Sequence, residues 1–205
     1  MDSRMSNLRS ICVYCGSSPG IDPKFPQNAY RLGESIAQAG LRLVYGGGTN
    51  GLMGAVAQGV MDRGGSVMGI IPEFLMSKEA TEKALGRLDE LVVTEDMHER
   101  KHRMFEEADA FVTLPGGIGT LEEVIEIMTW AQLGRHDKPI VLANFAGFWD
   151  PLIALLDHMR SSEFIHTGHR VQPLVINEVE DIVPSILEAT LAASSAGDEA
   201  VIEKL

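Results

Sequence analysis

Two adjacent carboxylates, Glu122 and Glu123, stand just inside a helix-like segment behind a glycine-rich turn, Pro115-Gly116-Gly117-Ile118-Gly119-Thr120. A strand-like run, Ala110 to Leu114, leads into the turn, and a helix-like run from Leu121 to Leu133 leads out. Glycines let a backbone turn sharply and approach a ligand closely. The first amides of a helix lack intrahelical partners and carry partial positive charge. Together these make an anion site, most often for phosphate. Thr120 can cap the helix or give its hydroxyl to a phosphate oxygen. Gly116, Gly117, Ile118, Gly119, Thr120 and Leu121 are therefore candidate substrate-binding positions. Acids beside a phosphate cradle suggest chemistry next to the phosphate. Consecutive helix residues point about 100° apart, so Glu122 and Glu123 cannot share one role. One faces the pocket and the other faces solvent or a neighbouring helix. A capped helix start whose acids favour the helix dipole is the plainer alternative.

A second group is Met97-His98-Glu99-Arg100-Lys101-His102-Arg103, which should open the helix leading into that strand. Arg100 and Lys101 would start near the same rim and could supply positive charge for a phosphate. Basic residues at a helix start oppose its dipole, which hints at a compensating anion; a solvated basic face is the alternative. His98 and His102 have the i, i+4 spacing of metal ligands, without a third ligand to complete them. Cys12 and Cys15, the only cysteines, could form a redox or zinc half-site. Their odd separation points them to different faces of a strand, so buried thiols are the simpler reading. Gly46, Gly48 and Gly51 fit the dinucleotide fingerprint, with Glu73 at about the right distance for a ribose hydroxyl. A tight strand-to-helix turn explains the same glycines. A dehydrogenase would not explain the third glycine-rich turn with carboxylates behind it, which favours a mononucleotide.

These residues need a scaffold, and the pattern supplies one. Strand-like runs occupy Ser10–Tyr14, Leu41–Tyr45, Ser66–Ile71, Glu90–Thr94, Ala110–Leu114 and Pro139–Ala143, with a weaker one near Leu174. Helix-like segments fall at Asn28–Gln38, Gly51–Arg63, Met97–Ala108, Leu121–Leu133, Pro151–Arg160 and Val179–Ala193. The strands are apolar on both faces, as buried parallel strands are. Alternating strands and helices imply an α/β fold, a doubly wound parallel sheet with helices on both faces. Ligands bind such sheets beyond the carboxyl ends of the strands. Three glycine-rich turns should converge there: Cys15–Gly20, Gly46–Gly51 and Pro115–Thr120. Gly16, Ser17, Gly47 and Gly48 are the substrate-binding candidates in the first two. The charged stretch Ser77–Asp89 would be a short helix or a surface loop lining the site.

Of the 205 residues, 45% are hydrophobic and 22% charged, which fits one domain with a sizeable core. We place that domain at residues 1–193 and a mobile tail at 194–205, where the chain turns small and polar. A net charge of -12 argues against a general nucleic-acid or anionic-membrane binder. The start lacks a signal-peptide pattern, and no run approaches the ~20 apolar residues of a membrane span. The expectation is a cytoplasmic protein with no nucleic-acid or membrane partner.

Cys15-Gly16-Ser17-Ser18-Pro19-Gly20, Tyr45-Gly46-Gly47-Gly48, Gly51-Leu52-Met53-Gly54, Met97-His98-Glu99-Arg100-Lys101, Pro115 to Glu123 and Thr129-Trp130-Ala131-Gln132-Leu133-Gly134 together resemble the LOG ("Lonely Guy") family of cytokinin-activating enzymes. The resemblance runs from about Arg9 to about Leu187. It implies a Rossmann-like fold, a homodimer and a phosphoribohydrolase that splits the N-glycosidic bond of a nucleoside 5'-monophosphate. The substrates implied are AMP and N6-modified AMP, with free base and ribose 5-phosphate as products and no metal or organic cofactor. By the same resemblance, Glu123 is the essential glutamate and Arg100 the essential arginine. Lys101, the run from Gly117 to Glu123 (Glu122 included), Thr129 and Glu79 match nucleotide-contacting positions. Thr49-Asn50 departs from the commoner Ser-Val of the second turn. The family's older lysine decarboxylase label implies a pyridoxal phosphate site with a Schiff-base lysine, and no lysine here has such surroundings in the sequence. A nucleotide sensor or carrier without turnover, and a general AMP nucleosidase, are the rival readings. The helix bearing Met128, Trp130 and Leu133 is apolar enough to serve a dimer interface as well as the core.

Overall fold

A computed structural model describes residues 8–81, 85–165 and 172–202, with backbone alone for 194–202. The strands are β1 (Ser10–Tyr14), β2 (Arg42–Tyr45), β3 (Val67–Pro72), β4 (Glu90–Thr94), β5 (Ala110–Thr113), β6 (Ile140–Ala143) and β7 (Leu174–Ile176). Helices alternate with them: α1 (Lys24–Gln38), α2 (Gly51–Asp62), α3 (Glu73–Glu79), α4 (Met97–Glu106), α5 (Ile118–Gln132), α6 (Asp150–Ser161) and α7 (Val179–Ile202). All neighbouring strands pair in parallel, in the order β4-β3-β2-β1-β5-β6-β7. The expected Rossmann-like doubly wound sheet is present. Its strand order reverses between β1 and β5, where crevices for ligands form in open α/β sheets.

The apolar patterning sorts the helices onto two faces. Ile11 and Val13 of β1 pack with Leu43 of β2, Val112 of β5 and residues of α1, α2 and α7. Cys12, Tyr14, Phe111 and Leu142 face the other way, against α4, α5 and α6. Cys12 and Cys15 thus lie in opposite layers as free, buried thiols, which rules out a disulfide or shared-metal pairing between them in this fold. Phe105, Phe111 and Tyr14 stack in series beneath α4 and α5, with ring centroids 5.9 Å apart at each step. Burying a side chain of that size stabilises by about 1.5–3 kcal/mol. The stack therefore anchors the two helices that carry the candidate catalytic residues.

Two helix starts differ from the sequence expectation by three or four residues, and α7 runs on to Ile202 rather than ending at Ala193, so residues 194–202 of the expected tail are helical. α1 begins at Lys24 rather than Asn28, because Pro26 falls in the first turn, where the missing N–H costs nothing. α5 begins at Ile118 rather than Leu121. Of the charged stretch Ser77–Asp89, the first residues belong to α3, and residues 82–84 lie outside the described residues. Among the described residues, no helix is long and apolar enough to cross a membrane.

Candidate active site

The three glycine-rich turns meet at the carboxyl ends of β1, β2 and β5. Gly16 donates its N–H to the Pro115 carbonyl at 3.1 Å, and its own carbonyl accepts from the Leu52 N–H at 3.1 Å. Gly51 has φ +57°, and its α-carbon rests against the Ser17–Ser18 backbone, so no side chain fits there. Thr49 N–H donates to the Glu79 carbonyl at 2.8 Å, which ties the end of α3 to the second turn. Ser17 lies exposed on the rim.

The cradle itself is the start of α5. Gly117 is the cap residue and offers no side chain, and Leu121 N–H bonds back to the Gly117 carbonyl. The amides of Ile118, Gly119 and Thr120 therefore come before the first helical bond and remain available. Thr120 does not occupy the cap position; it is buried against Gly116, where a Cβ would collide with its side chain. A Cβ on Gly117 or Gly119 would meet no protein atom, and neither residue has a positive φ. Packing and backbone geometry leave these two glycines unexplained, whereas the close approach of a ligand explains both.

Arg100 comes to the rim from α4. It is only 6% exposed, and its Nη2 donates to the Gly46 carbonyl at 3.2 Å. Its Nε is buried without a hydrogen-bond partner. The sequence hinted that an outside anion offsets the basic start of α4. The chain supplies its own acids instead: Asp96 caps the helix by accepting from Glu99 N–H at 2.8 Å, and the Glu99 carboxylate accepts from Glu95 N–H at 2.8 Å.

Glu123, on α5, lies within electrostatic reach of Cys12 on β1 and of Cys15 just beyond it. Among the described residues its carboxylate makes no hydrogen bond and no ion pair. Burial pushes its pKa up from the ordinary 4.5 to about 7. The Arg100 charge opposes that rise, Glu122 adds to it, Lys101 opposes it, and Glu79 adds to it. Arg100, Lys101, Glu79 and Glu122 thus all lie within electrostatic reach of Glu123. Glu122 points elsewhere: it accepts from Lys101 Nζ at 2.5 Å, and Lys101 also reaches Glu126 at 3.1 Å. Burial works to lower the Lys101 pKa, but the bonds to Glu122 and Glu126 outweigh it and leave the pKa raised. The two adjacent acids thus point different ways: Glu123 within electrostatic reach of Arg100, and Glu122 in a bridge between α4 and α5.

The remaining candidates sit further from this centre. Thr129 is exposed six residues beyond Glu123 and gives its hydroxyl to the Ile125 carbonyl at 2.7 Å. Gly47 has φ +74° against Ile71, and a Cβ on Gly48 would crowd Met53, so packing accounts for both glycines. Arg100 and Met53 fill the space at Gly46 and Gly48 where a dinucleotide pyrophosphate would have to approach. His98 is exposed, His102 pairs with Glu106 at 3.3 Å, and among the described residues no cluster could hold a metal ion. Sequence reasoning missed Glu126, although its i, i+4 spacing from Glu122 is a signal for a shared cation. It also missed Phe25 and Phe148, which come together at 5.8 Å across 123 positions and leave no local signal.

Known proteins resemble this chain in sequence and fold. A family model described as "Possible lysine decarboxylase" matches residues 53–186. The probable cytokinin riboside 5'-monophosphate phosphoribohydrolase LOGL1 of Oryza sativa subsp. japonica is 48% identical over 78% of this chain and 70% of its own. The cytokinin riboside 5'-monophosphate phosphoribohydrolase LOG7 of Arabidopsis thaliana is 45% identical over 80% of this chain and 75% of its own. Among solved structures, a molybdenum cofactor binding protein from Rippkaea orientalis aligns at TM-score 0.65 and 24% identity over 89% of this chain and 97% of its own, a likeness of fold alone. The chain is a member of the family that carries the "Possible lysine decarboxylase" description, the LOG family of cytokinin riboside 5'-monophosphate phosphoribohydrolases.

Proposed function

We propose that the protein hydrolyses the N-glycosidic bond of adenosine 5'-monophosphates, N6-modified ones included, to free base and ribose 5-phosphate. The observation that carries this reading is Glu123, a carboxylate without a hydrogen-bond or ion-pair partner among the described residues, set three residues beyond an open phosphate cradle. The 5'-phosphate sits on the amides of Ile118, Gly119 and Thr120, with Gly117 and Ser17 beside it. That placement brings the ribose over Glu123. Breaking the bond to the base builds positive charge on the sugar ring. Ionised Glu123 stabilises that charge and activates a water on the face opposite the base. Arg100 is a permanent cation, so it works by charge and hydrogen bonding. It keeps Glu123 partly ionised near neutrality and can hold the ribose or the departing base. Glu79, on the segment bound to Thr49, lines the far side. Lys101 holds Glu122 and Glu126, and so fixes α4 against α5 beneath the substrate.

Two features favour this over decarboxylation and over simple binding. The lysine nearest the site, Lys101, is bridged by two carboxylates that keep it protonated, unlike a Schiff-base lysine, which must lose its proton. A sensor needs the cradle but gains nothing from Glu123, whose burial costs stability. We further propose that the protein works in the cytoplasm as a homodimer. Of the residues expected at the interface, Met128 is packed in the core. Ile118 (83% exposed) and Ile125 on α5, with Leu133 (71% exposed) at its C-cap, form an exposed apolar stripe. The test is chromatography of free base after incubation with AMP, isopentenyladenosine monophosphate and adenosine. Base from the monophosphates but not from adenosine is expected, and their ratio separates cytokinin activation from general AMP cleavage. Nucleotide binding with no base release would establish the sensor instead.

A further inference from the structure

Met97 opens α4 one turn before Arg100, and its thioether sulfur accepts from the Arg100 Nη1 at 3.7 Å. None of the roles above uses this contact. A thioether is a weak acceptor, so the guanidinium has only a soft partner there. Its Nη2 donates to the Gly46 carbonyl at 3.2 Å, and its Nε is buried with no partner. The cation therefore rests between a weak acceptor and a backbone carbonyl, with one donor unsatisfied.

Burial separates Met97 from most of the other sulfurs. Arg100 is buried, but Met97 is only half-buried, so small solutes have access to it from solvent. Met53, Met68, Met104 and Met128 are buried. Cys12 and Cys15 are buried too, and burial pushes both thiols well above their ordinary pKa. They keep their protons, and a thiol is much less reactive than a thiolate. Met61, Met76 and Met159 are also accessible, but among the described residues none of them bonds through sulfur to a charged side chain.

Resting on the phosphoribohydrolase reading, we propose that Met97 is an oxidative modification site whose sulfoxide turns the enzyme off by displacing Arg100. The oxidant is a peroxide. One sulfur lone pair attacks a peroxide oxygen and the O–O bond breaks. The departing oxygen takes the proton of the attacked one and leaves as water. Sulfur gives up two electrons and becomes the sulfoxide; the peroxide is reduced. The sulfoxide oxygen is a polar acceptor where the thioether was nearly apolar, and its bond to a guanidinium is charge-assisted. It competes for Nη1 and offers Nε the partner it lacks, which draws the cation off the Gly46 carbonyl. Reductases return methionine sulfoxide to methionine, so the change is reversible.

The test treats the full-length protein with hydrogen peroxide. Sulfoxide at each methionine is followed by peptide mass spectrometry, beside kcat/KM for AMP and the circular dichroism spectrum. As Met97 is oxidised, kcat/KM should fall on the order of 10²-fold, the cost of misplacing a charged group by about 1 Å, with the spectrum unchanged. Methionine sulfoxide reductases should restore the rate in step with loss of the Met97 sulfoxide. Treated Met97→Leu should keep its own untreated rate, whereas Met76→Leu and Met159→Leu should be inactivated like the unmodified protein. Should Met97→Leu fold poorly, the reductase time course on the unmodified protein decides. Met97 left unoxidised while Met159 reacts overturns the site. Full activity with Met97 oxidised, or equal inactivation of Met97→Leu, overturns it as well. An untreated protein that releases no base from AMP sinks the phosphoribohydrolase reading instead. AMP affinity by calorimetry then tests the site alone: it should weaken about tenfold on oxidation, the value of one hydrogen bond to a charged group, and an unchanged affinity overturns it.

Discussion

The Arg100 guanidinium lies directly on Gly46, donating to its carbonyl at 3.2 Å in the space a Cβ would occupy. A glycine at the end of β2 thereby sets the position of a cation carried on α4, 54 residues later. The contact also holds that cation within electrostatic reach of Glu123.

Gly46→Ala should therefore act as a catalytic variant without touching substrate. The added methyl displaces Arg100, and misplacement of a charged group by about 1 Å costs on the order of 10²-fold in rate. Steady-state kinetics with AMP, beside a circular dichroism check of the fold, would show kcat/KM down by about that factor. Near-normal kcat/KM in a folded variant would mean that Arg100 is not positioned by this contact.

The pH dependence follows from Glu123. The carboxylate must be ionised to act, so kcat/KM should rise with pH and level off above about 7, the value to which burial pushes its pKa. Arg100 holds that value down. Arg100→Gln should consequently shift the acid limb to higher pH, in addition to lowering the plateau. An acid limb near the ordinary 4.5 in the unmodified protein would place the essential ionisation elsewhere.

The same shift has a consequence for stability. Folding raises the Glu123 pKa from 4.5 to about 7. The folded state therefore binds the proton more tightly, and this contribution is complete below 4.5 and lost as pH rises through 7. Above pH 7 the buried charge should cost up to about 3 kcal/mol. Glu123→Gln should then melt several degrees higher than the unmodified protein at pH 8, and close to it at pH 4. Equal melting points at pH 8 would show that Glu123 is solvated rather than buried.

Much of this was legible in the chain. β1 falls on the residues expected, because its continuous apolar run Ile11-Cys12-Val13-Tyr14 is what a strand buried on both faces looks like, and edge strand β4 does so through its β-branched Val92-Val93-Thr94. The convergence of three glycine-rich turns was legible too, since strand ends in a doubly wound sheet share one rim. The start of α5 was not, because its cap residue is Gly117, which has no capping side chain, while Thr120 offers one three residues later. Nor was the Lys101 bridge to Glu122 and Glu126, which joins residues 21 and 25 positions apart on two helices. Local patterns report local geometry, whereas the contacts that set Glu123 and Arg100 against each other come from the packing of α4 and α5 on the Tyr14–Phe111–Phe105 stack.

The exposed stripe on α5 gives a prediction about assembly. Ile118, Ile125 and Leu133 would be covered in a homodimer, so Ile125→Glu should place a charge in the interface. Light scattering of the unmodified protein should give about twice the 22.3 kDa chain mass, and the variant should fall toward the single-chain mass. A monomeric mass for both would refute the dimer and leave the stripe as open surface.

The central claim is that Glu123 performs the chemistry while the cradle performs the binding. Base release from AMP by Glu123→Gln, measured beside its AMP affinity, separates the two. The account predicts a turnover on the order of 10²-fold lower or more, with the dissociation constant changed only a few-fold. Turnover near that of the unmodified protein, in a folded variant, would contradict it.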